Sequence, residues 1–308
     1  MIRQLVLKEI IPKKPRTFRD ELNEIILSLD LPKYPNKKGN KQFTTAQRVS
    51  VVILYIRSQK SLRDFCEYFN TETKWPIWLE LKYNITKSSI NRWLKELDLD
   101  LIKEAMKQTN SDEKPEVVGI DGTGIDTKFK STYYQKRLDD FGQKSKANWH
   151  KLDIIANMLG KKKVLDFQFS LKQVGDVPVA WKFFKRFKFE NVIIVADKGY
   201  FCFDLFRFVE SQNNYLLFPP KNYRGKCRHN NLLHRKFKIN YHKYIDIYHK
   251  RSNVEGVFSA LKRTILNKIV SRKCSSKKRE MALKLIIYNM KKNVFQLINL
   301  RLKNYLFI

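Results

Sequence analysis

The stretch that most restricts the fold is Asn191-Val-Ile-Ile-Val-Ala196. It is a continuous β-branched run with no polar alternation. A strand that alternates buries one face, whereas a strand apolar throughout is buried on both. Helices must then cover the sheet on either side, and the fold class expected is α/β. The run ends in Asp197-Lys198-Gly199-Tyr200-Phe201. A second short apolar strand, Glu116-Val-Val-Gly-Ile120, ends the same way, in Asp121-Gly122-Thr123-Gly124. The carboxyl ends of strands are where α/β sheets place functional groups. Each Asp is followed within two residues by a Gly, which lets the backbone turn or a ligand come close. Taken singly, an Asp after a strand is a turn former, and Asp121-Gly is itself a turn signal.

A third carboxylate comes from Tyr248-His-Lys-Arg251-Ser-Asn-Val-Glu255, continuing to Lys262. Drawn as one helix, at about 100° per residue, Tyr248, Arg251, Glu255 and Lys262 fall within an arc of roughly 60°. Val254, Val257, Phe258, Leu261 and Ile265 form the neighbouring apolar stripe, which faces a core. Such a helix presents a carboxylate between two cations and suits phosphate and a divalent metal together. The competing reading is a capping box, Ser252-Asn-Val-Glu255. It starts the helix at Ser252 and leaves Tyr248 and Arg251 off that face.

Charge narrows the partner. The chain of 308 residues carries 62 Lys+Arg against 30 Asp+Glu, a net of +32. A field of that sign favours a polyanion, and nucleic acid is the commonest. A lysine-rich composition with merely solvated side chains is the bland alternative, but it leaves the 21 Phe and 14 Tyr unexplained. Cys66, Cys202, Cys227 and Cys274 are far apart and form no CxxC pair, so neither a disulfide framework nor a zinc site is expected. Cys227, His229 and His234 lack a fourth ligand. No run approaches the roughly 18–20 apolar residues of a membrane span, and the N-terminus has no signal-peptide core. A cytoplasmic, nucleoid-associated protein is expected.

Before the strands the pattern is helical. Helices are expected over Phe18 to Leu29, from Thr44 on with Thr45 as the cap, over Leu62 to Phe69 after a Ser61 cap, and over Ser88 to Leu97. Trp75 to Leu81 is a short apolar piece. This section fits either a helix-turn-helix, with Ser88 to Leu97 as the recognition helix, or a plain packing module. In the first case the exposed Lys87, Asn91, Arg92 and Lys95 meet phosphates or base edges. Residues 98–115 read as a polar connection and carry the domain boundary. Further strands are expected over Leu152 to Met158, Val164 to Leu171 and Tyr215 to Phe218, with helices over Val177 to Phe187 and Phe203 to Glu210. Pro219 to Tyr244 is basic and reads as a loop or small subdomain. Met281 to Leu300 is a long amphipathic helix. Trp149 and His150 are read as rim packing, and Tyr200 and Phe201 as packing beside the site.

Three carboxylates in a strongly basic chain suit phosphoryl transfer, in which metal ions clamp the attacking and leaving oxygens. The spacing Tyr248-x2-Arg251-x3-Glu255-x6-Lys262 resembles the Y-R-E-K signature of DDE insertion-sequence transposases. Asp197-Lys-Gly-Tyr-Phe resembles the segment around their second Asp, and Ile120-Asp-Gly-Thr-Gly the segment around their first. The resemblance covers about residues 117–295 and implies an RNase H-like mixed sheet with flanking helices, preceded by an all-helical N-terminal domain. It implies a DNA-binding domain over 1–112 and a catalytic domain over 113–308, with a basic insertion, 219–244, shorter than in some members. Asp121, Asp197 and Glu255 would hold Mg²⁺, with Mn²⁺ as a substitute, and Asp126 is a spare for the first position. Tyr248, Arg251 and Lys262 would contact DNA phosphates near the element's end. Arg92 and Lys95 would contact DNA from the N-terminal domain. The implied activity is metal-dependent cleavage at the inverted repeats and strand transfer into target DNA, carried out by a homodimer. A nuclease or resolvase on the same fold, or a non-catalytic DNA-binding descendant, are the rival readings.

Overall fold

The computed structural model describes residues 16–35, 41–126, 149–171, 174–186, 190–219, 228–266 and 269–305. Among the described residues six helices come first: α1 Phe18–Ser28, α2 Thr45–Ser58, α3 Leu62–Thr71, α4 Lys74–Trp78, α5 Lys87–Glu96 and α6 Leu99–Gln108. Their starts follow capping chemistry. Thr17 and Thr44 close capping boxes with Asp20 and Gln47, so Thr44 caps α2 and Thr45 is its first residue. Ser61, Thr86 and Asp98 cap α3, α5 and α6 by accepting a backbone N–H. Each such cap contributes on the order of 1 kcal/mol.

Two expectations fail in this region. Residues 98–115 are not simply a connection, because Asp98 caps α6 and Ile102, Ala105 and Met106 bury its inner face. The helix-turn-helix reading fails too. Residues 79–86 separate α4 from α5, whereas that motif joins its helices by 3–4 residues.

The sheet comprises β1 Val117–Asp126, β2 Trp149–Asn157, β3 Val164–Ser170, β4 Ile193–Ala196 and β5 Tyr215–Leu217, in the order β3-β2-β1-β4-β5. β1, β2 and β3 form an antiparallel meander, while β4 runs parallel to β1 and β5 parallel to β4. Three antiparallel strands followed by two parallel ones in this order make an RNase H-like sheet. Helix α7 Asp176–Arg186 leads to β4, and α8 Phe203–Ser211 links β4 to β5. These helices cover one face through Val179, Phe183, Leu205 and Val209, packed on Val118, Ile120 and Ile194.

After β5 come α9 Arg228–Lys243, α10 Ile245–His249, α11 Ser252–Thr264 and α12 Cys274–Tyr305. The described part of the basic segment after residue 227 is therefore helical, not a loop. Phe237 of α9 is buried against Phe206 and Phe218. Helices α11 and α12 cover the other sheet face through Val254, Val257, Leu261, Ile286 and Met290, against Val117, Leu152, Ile154 and Val195. The run that opened the argument is thus buried on both sides.

The helical segment and the sheet share this second core, because α12 also packs on α1, α2, α5 and α6. Asn289 of α12 is fully buried. It accepts the Val164 N–H at 2.9 Å and donates to the Val164 carbonyl at 2.8 Å and to Thr109 Oγ1 at 3.1 Å. Lys163, equally buried, donates to the Thr109 carbonyl and pairs with Asp112 and Glu113.

Candidate active site

Asp121 and Asp197 are placed by the β1–β4 ladder. Ile120 pairs with Ala196 in parallel register, so the two Asp follow that last pair on neighbouring strands, which lie about 4.8 Å apart. Side chains alternate across a sheet. Val117 and Val195 belong to the core under α11 and α12, and Val118, Ile194 and Ala196 to the opposite core. By that parity Asp121 and Asp197 share the α11 face. β1 does not turn at Asp121 but continues to Asp126, paired with β2 alone. Asp121 therefore stands where β4 stops, and Asp126 lies five residues further on, opposite Trp149.

Helix α11 brings the third carboxylate. Gly119 makes its seat: a Cβ there would lie 2.2 Å from Val254 Cγ2 and 2.7 Å from Met158 Sδ. Only glycine allows that approach, and Val254 precedes Glu255. The helix starts at Ser252, yet the capping box does not form. Ser252 Oγ donates to the His249 carbonyl, and Glu255 pairs with Arg251 instead. The path from α10 into α11 stays helical through tight turns, Arg251 N–H to Tyr248 carbonyl and Val254 N–H to Arg251 carbonyl. Tyr248 and Arg251 are thereby kept beside Glu255 although two helices replace the single one expected.

Arg251 is the hub. Its guanidinium lies 3.0 Å from Glu255 Oε1 and 3.6 Å from Asp121 Oδ2, and its side chain also engages Tyr248. Burial pushes the Asp121 carboxyl above its ordinary range. The Gly122 N–H, bonded at 2.8 Å, and Arg251 pull it back, while Asp197 and Glu255 push it further up. Burial also raises the Tyr248 phenol. Each of the other two carboxylates thus acts electrostatically on Asp121. The three are not gathered into one ligand set: among the described residues no three His, Cys, Asp or Glu side chains are close enough to hold a metal. A guanidinium stands between two of them.

The remaining expected residues lie elsewhere. Lys262 is exposed on the last turn of α11, seven residues past Glu255. Arg92 and Lys95 are exposed on α5, which packs on α2, α3 and α12. Tyr200 packs beneath the site, 1% exposed. His150 packs on Phe169 and meets Lys277 at 3.0 Å. Cys227, part of the weighed zinc cluster, lies outside the described residues, and so does the side chain of His229.

Residues 112–290 match the family model described as the transposase DDE domain. That segment is more than half of the chain and contains Asp121, Asp197 and Glu255. The chain belongs to the DDE transposases. No curated protein matches it. Among solved structures it is similar to the cryo-EM structure of a piggyBac transposase synaptic complex with hairpin DNA. There the TM-score is 0.43 at 10% identity, covering 91% of this chain and 72% of that one. No described helix is long and apolar enough to cross a membrane.

Sequence reasoning missed a second polar layer of this DDE-family chain, on the opposite sheet face. Lys151 Nζ lies 2.9 Å from Asp153 Oδ1 and 2.7 Å from Asp176 Oδ1. Asp153 is fully buried, and burial pushes its carboxyl up to about 6 despite Lys151. The Tyr200 hydroxyl is buried beside these acids with no partner among the described residues, and burial raises it strongly. The two glycines after the catalytic-type Asp residues belong to this layer. A Cβ on Gly122 would lie 2.5 Å from Asp153 Oδ1, and one on Gly199 2.3 Å from Asp176 Oδ2. Neither has a positive φ, so neither position needs glycine for its backbone conformation. They make room for carboxylates below. The signal was present as Lys151-x-Asp153, two long polar side chains on one strand face.

Proposed function

We propose that this chain cleaves DNA at the inverted-repeat ends of a mobile element and joins the freed ends to target DNA. The observation that carries the reading is the convergence on Arg251 of Asp121, from the sheet, and Glu255, from α11, with Asp197 on the neighbouring strand end. Carboxylates at strand tips plus one helical carboxylate are all-oxygen donors, the set that Mg²⁺ prefers. The donor chemistry fits Mg²⁺ or Mn²⁺, with Asp121, Asp197 and Glu255 as the holding residues once Arg251 yields. When bound, such ions supply charge stabilisation to in-line displacement at phosphorus.

The protein's own groups then divide the work. Asp121 and Asp197 are fixed by backbone register and need no rearrangement. Glu255 is 62% exposed and free to rotate. Arg251, displaced from the carboxylates, becomes a bidentate fork for a phosphate, and Tyr248 holds its position. Lys262, on the same helix, takes a neighbouring phosphate as a point charge. The surplus of cations supplies sequence-independent backbone affinity. Helices α1–α6 form a DNA-binding unit in this reading, with Arg92 and Lys95 exposed for it, and two copies of the chain pair two ends.

The test is cleavage and joining of duplexes carrying the element's ends in Mg²⁺ or Mn²⁺. Asp197→Ala is expected to lose at least about 10³-fold in rate, the scale on which a group stabilising transition-state charge acts. Full activity of that variant would overturn the assignment. Cleavage without joining would favour a nuclease.

A further inference from the structure

A second site lies between the N-terminal helices and the start of α12. Tyr55, Ser61, Leu62, Asn91, Leu94 and Lys95 face Val270, Ser271, Arg272, Lys273 and Ser276 across a cavity of about 470 Å³. The N-termini of two helices border it, α3 at Ser61 and Leu62 and α12 at Lys273 and Ser276. In α12 the Lys277 N–H to Lys273 carbonyl bond, 2.9 Å, closes the first turn, so the N–H groups of Cys274, Ser275 and Ser276 precede any helical partner. Helix N-termini attract anions through these groups and the helix dipole. An independent feature points the same way. Ser276 is 5% exposed, lines the cavity, and its hydroxyl has no partner among the described residues. Burying a hydroxyl without a partner is costly, and a ligand oxygen would relieve that.

The approach to α12 is held in place. Glu280, 1% exposed, accepts the Val270 N–H at 2.9 Å and the Ser271 N–H at 2.7 Å and pairs with Lys284 at 2.9 Å. Its charge is thus spent inside the protein. Asp64 in the first turn of α3 is the other nearby acid, and the Ser61 hydroxyl accepts its N–H. Lys95 and Lys273 at the rim are exposed. Leu62, Leu94 and Val270 give apolar walls. An anionic head against cations and N–H groups, with an apolar body against leucine and valine, matches a phosphodiester with its deoxyribose.

We propose that this cavity binds one backbone phosphate of DNA and so anchors the duplex away from the carboxylates. The ligand class rests on the transposase reading above. The position fits. Lys277, one residue past Ser276, bonds His150, which pairs with Ile125, four residues beyond Asp121 on β1. At about 3.4 Å per residue Ile125 lies roughly 14 Å along the strand from Asp121, which puts the cavity apart from the carboxylates.

The experiment is fluorescence anisotropy of the full chain on a duplex carrying the element's end, over a range of salt. Lys95→Ala/Lys273→Ala is expected to lower the slope of log affinity against log salt by about 0.9, the value of one phosphate. Lys103→Ala/Lys107→Ala, a charge-matched pair on α6, should keep the wild-type slope. Ser276→Ala, which changes no charge and favours the helix, should weaken binding about three- to tenfold with the slope unchanged. Equal slopes in wild type and the Lys95/Lys273 variant, or wild-type affinity in Ser276→Ala, would overturn this proposal alone. A wild-type chain that binds no duplex at any salt would overturn the transposase reading with it. Inorganic phosphate, added at constant ionic strength, identifies the remaining source. If it raises the Tm of wild type but not of Ser276→Ala while the DNA slopes are equal, the ligand is a free anion and the DNA assignment fails.

Discussion

The two faces of the sheet treat acids differently at the level of single residues. Asp121 is half-buried and shares its surroundings with Arg251, Asp197 and Glu255, an arrangement open to an incoming cation. Asp153, on the other face, is sealed with Lys151 and cannot reach solvent. Its pKa is about 6 in the folded chain, against 3.8 as its ordinary value, because burial penalises the charge. The folded state therefore holds this proton more tightly than the unfolded state. Stability contributed here is greatest below about pH 4, falls as pH rises toward 6, and stays low above. Asp153→Asn removes the titration and keeps the shape. The wild type should lose about 2.4 kcal/mol relative to Asp153→Asn between pH 4 and 7, as measured by urea unfolding across that range. A constant difference would contradict the burial account. Asp121 and Asp197 were legible because each follows an apolar strand, and Glu255 because it lies beside a helical apolar stripe. The glycines beside them were legible only as glycines. Their cause, an acid on the strand or helix packed below, is a tertiary contact that one-dimensional spacing does not carry.

The elements follow the same division. Long apolar or amphipathic segments announced themselves: β4, α2 and α8 lie where the pattern placed them, since burial of a face sets both the pattern and the element, and the apolar stripe of α11 is as expected although its helix starts only at Ser252. The failures share a cause. α9 is polar over most of its surface and α6 is short, and the helicity of both rests on partners. Asp98 caps α6 and α12 covers it, while Phe237 anchors α9 to α8 and β5. The placement of α11 is the element on which the site depends. Gly119→Ala would put a methyl within 2.2 Å of Val254 Cγ2 and force the helix off the strand. The expected loss is about 1–3 kcal/mol of stability, with a larger fall in DNA cleavage because Glu255 moves with Val254. Adding Val254→Ala opens the space again, so the double variant should recover most of the lost activity. Non-additivity of that kind reports contact, and additive losses would show that α11 is not seated on Gly119. The polar seam behind it makes a separate prediction. Asn289→Ala strips the partner from the buried Val164 N–H and should cost about 1–3 kcal/mol in denaturant unfolding, whereas a neutral effect would mean that water replaces it.

For the whole molecule, an RNase H-like sheet sits between two helical layers, and the long α12 ties the sheet to the N-terminal helices. The net charge of +32 surrounds this frame. Charge, three ordered carboxylates and the signature spacing were enough to place the chain among the DDE transposases from its sequence. The state of the site was not legible, because the placement of Arg251 between Asp121 and Glu255 depends on how α10 turns into α11. That placement gives the central claim its sharpest form: the guanidinium holds the ground that a divalent cation would take. Mn²⁺ binding to the full chain, followed by electron paramagnetic resonance, tests it. Asp121→Asn and Asp197→Asn should each weaken Mn²⁺ binding at least about tenfold, and Arg251→Ala should strengthen it. Mn²⁺ bound as tightly by both Asp variants as by the wild-type chain would contradict the account.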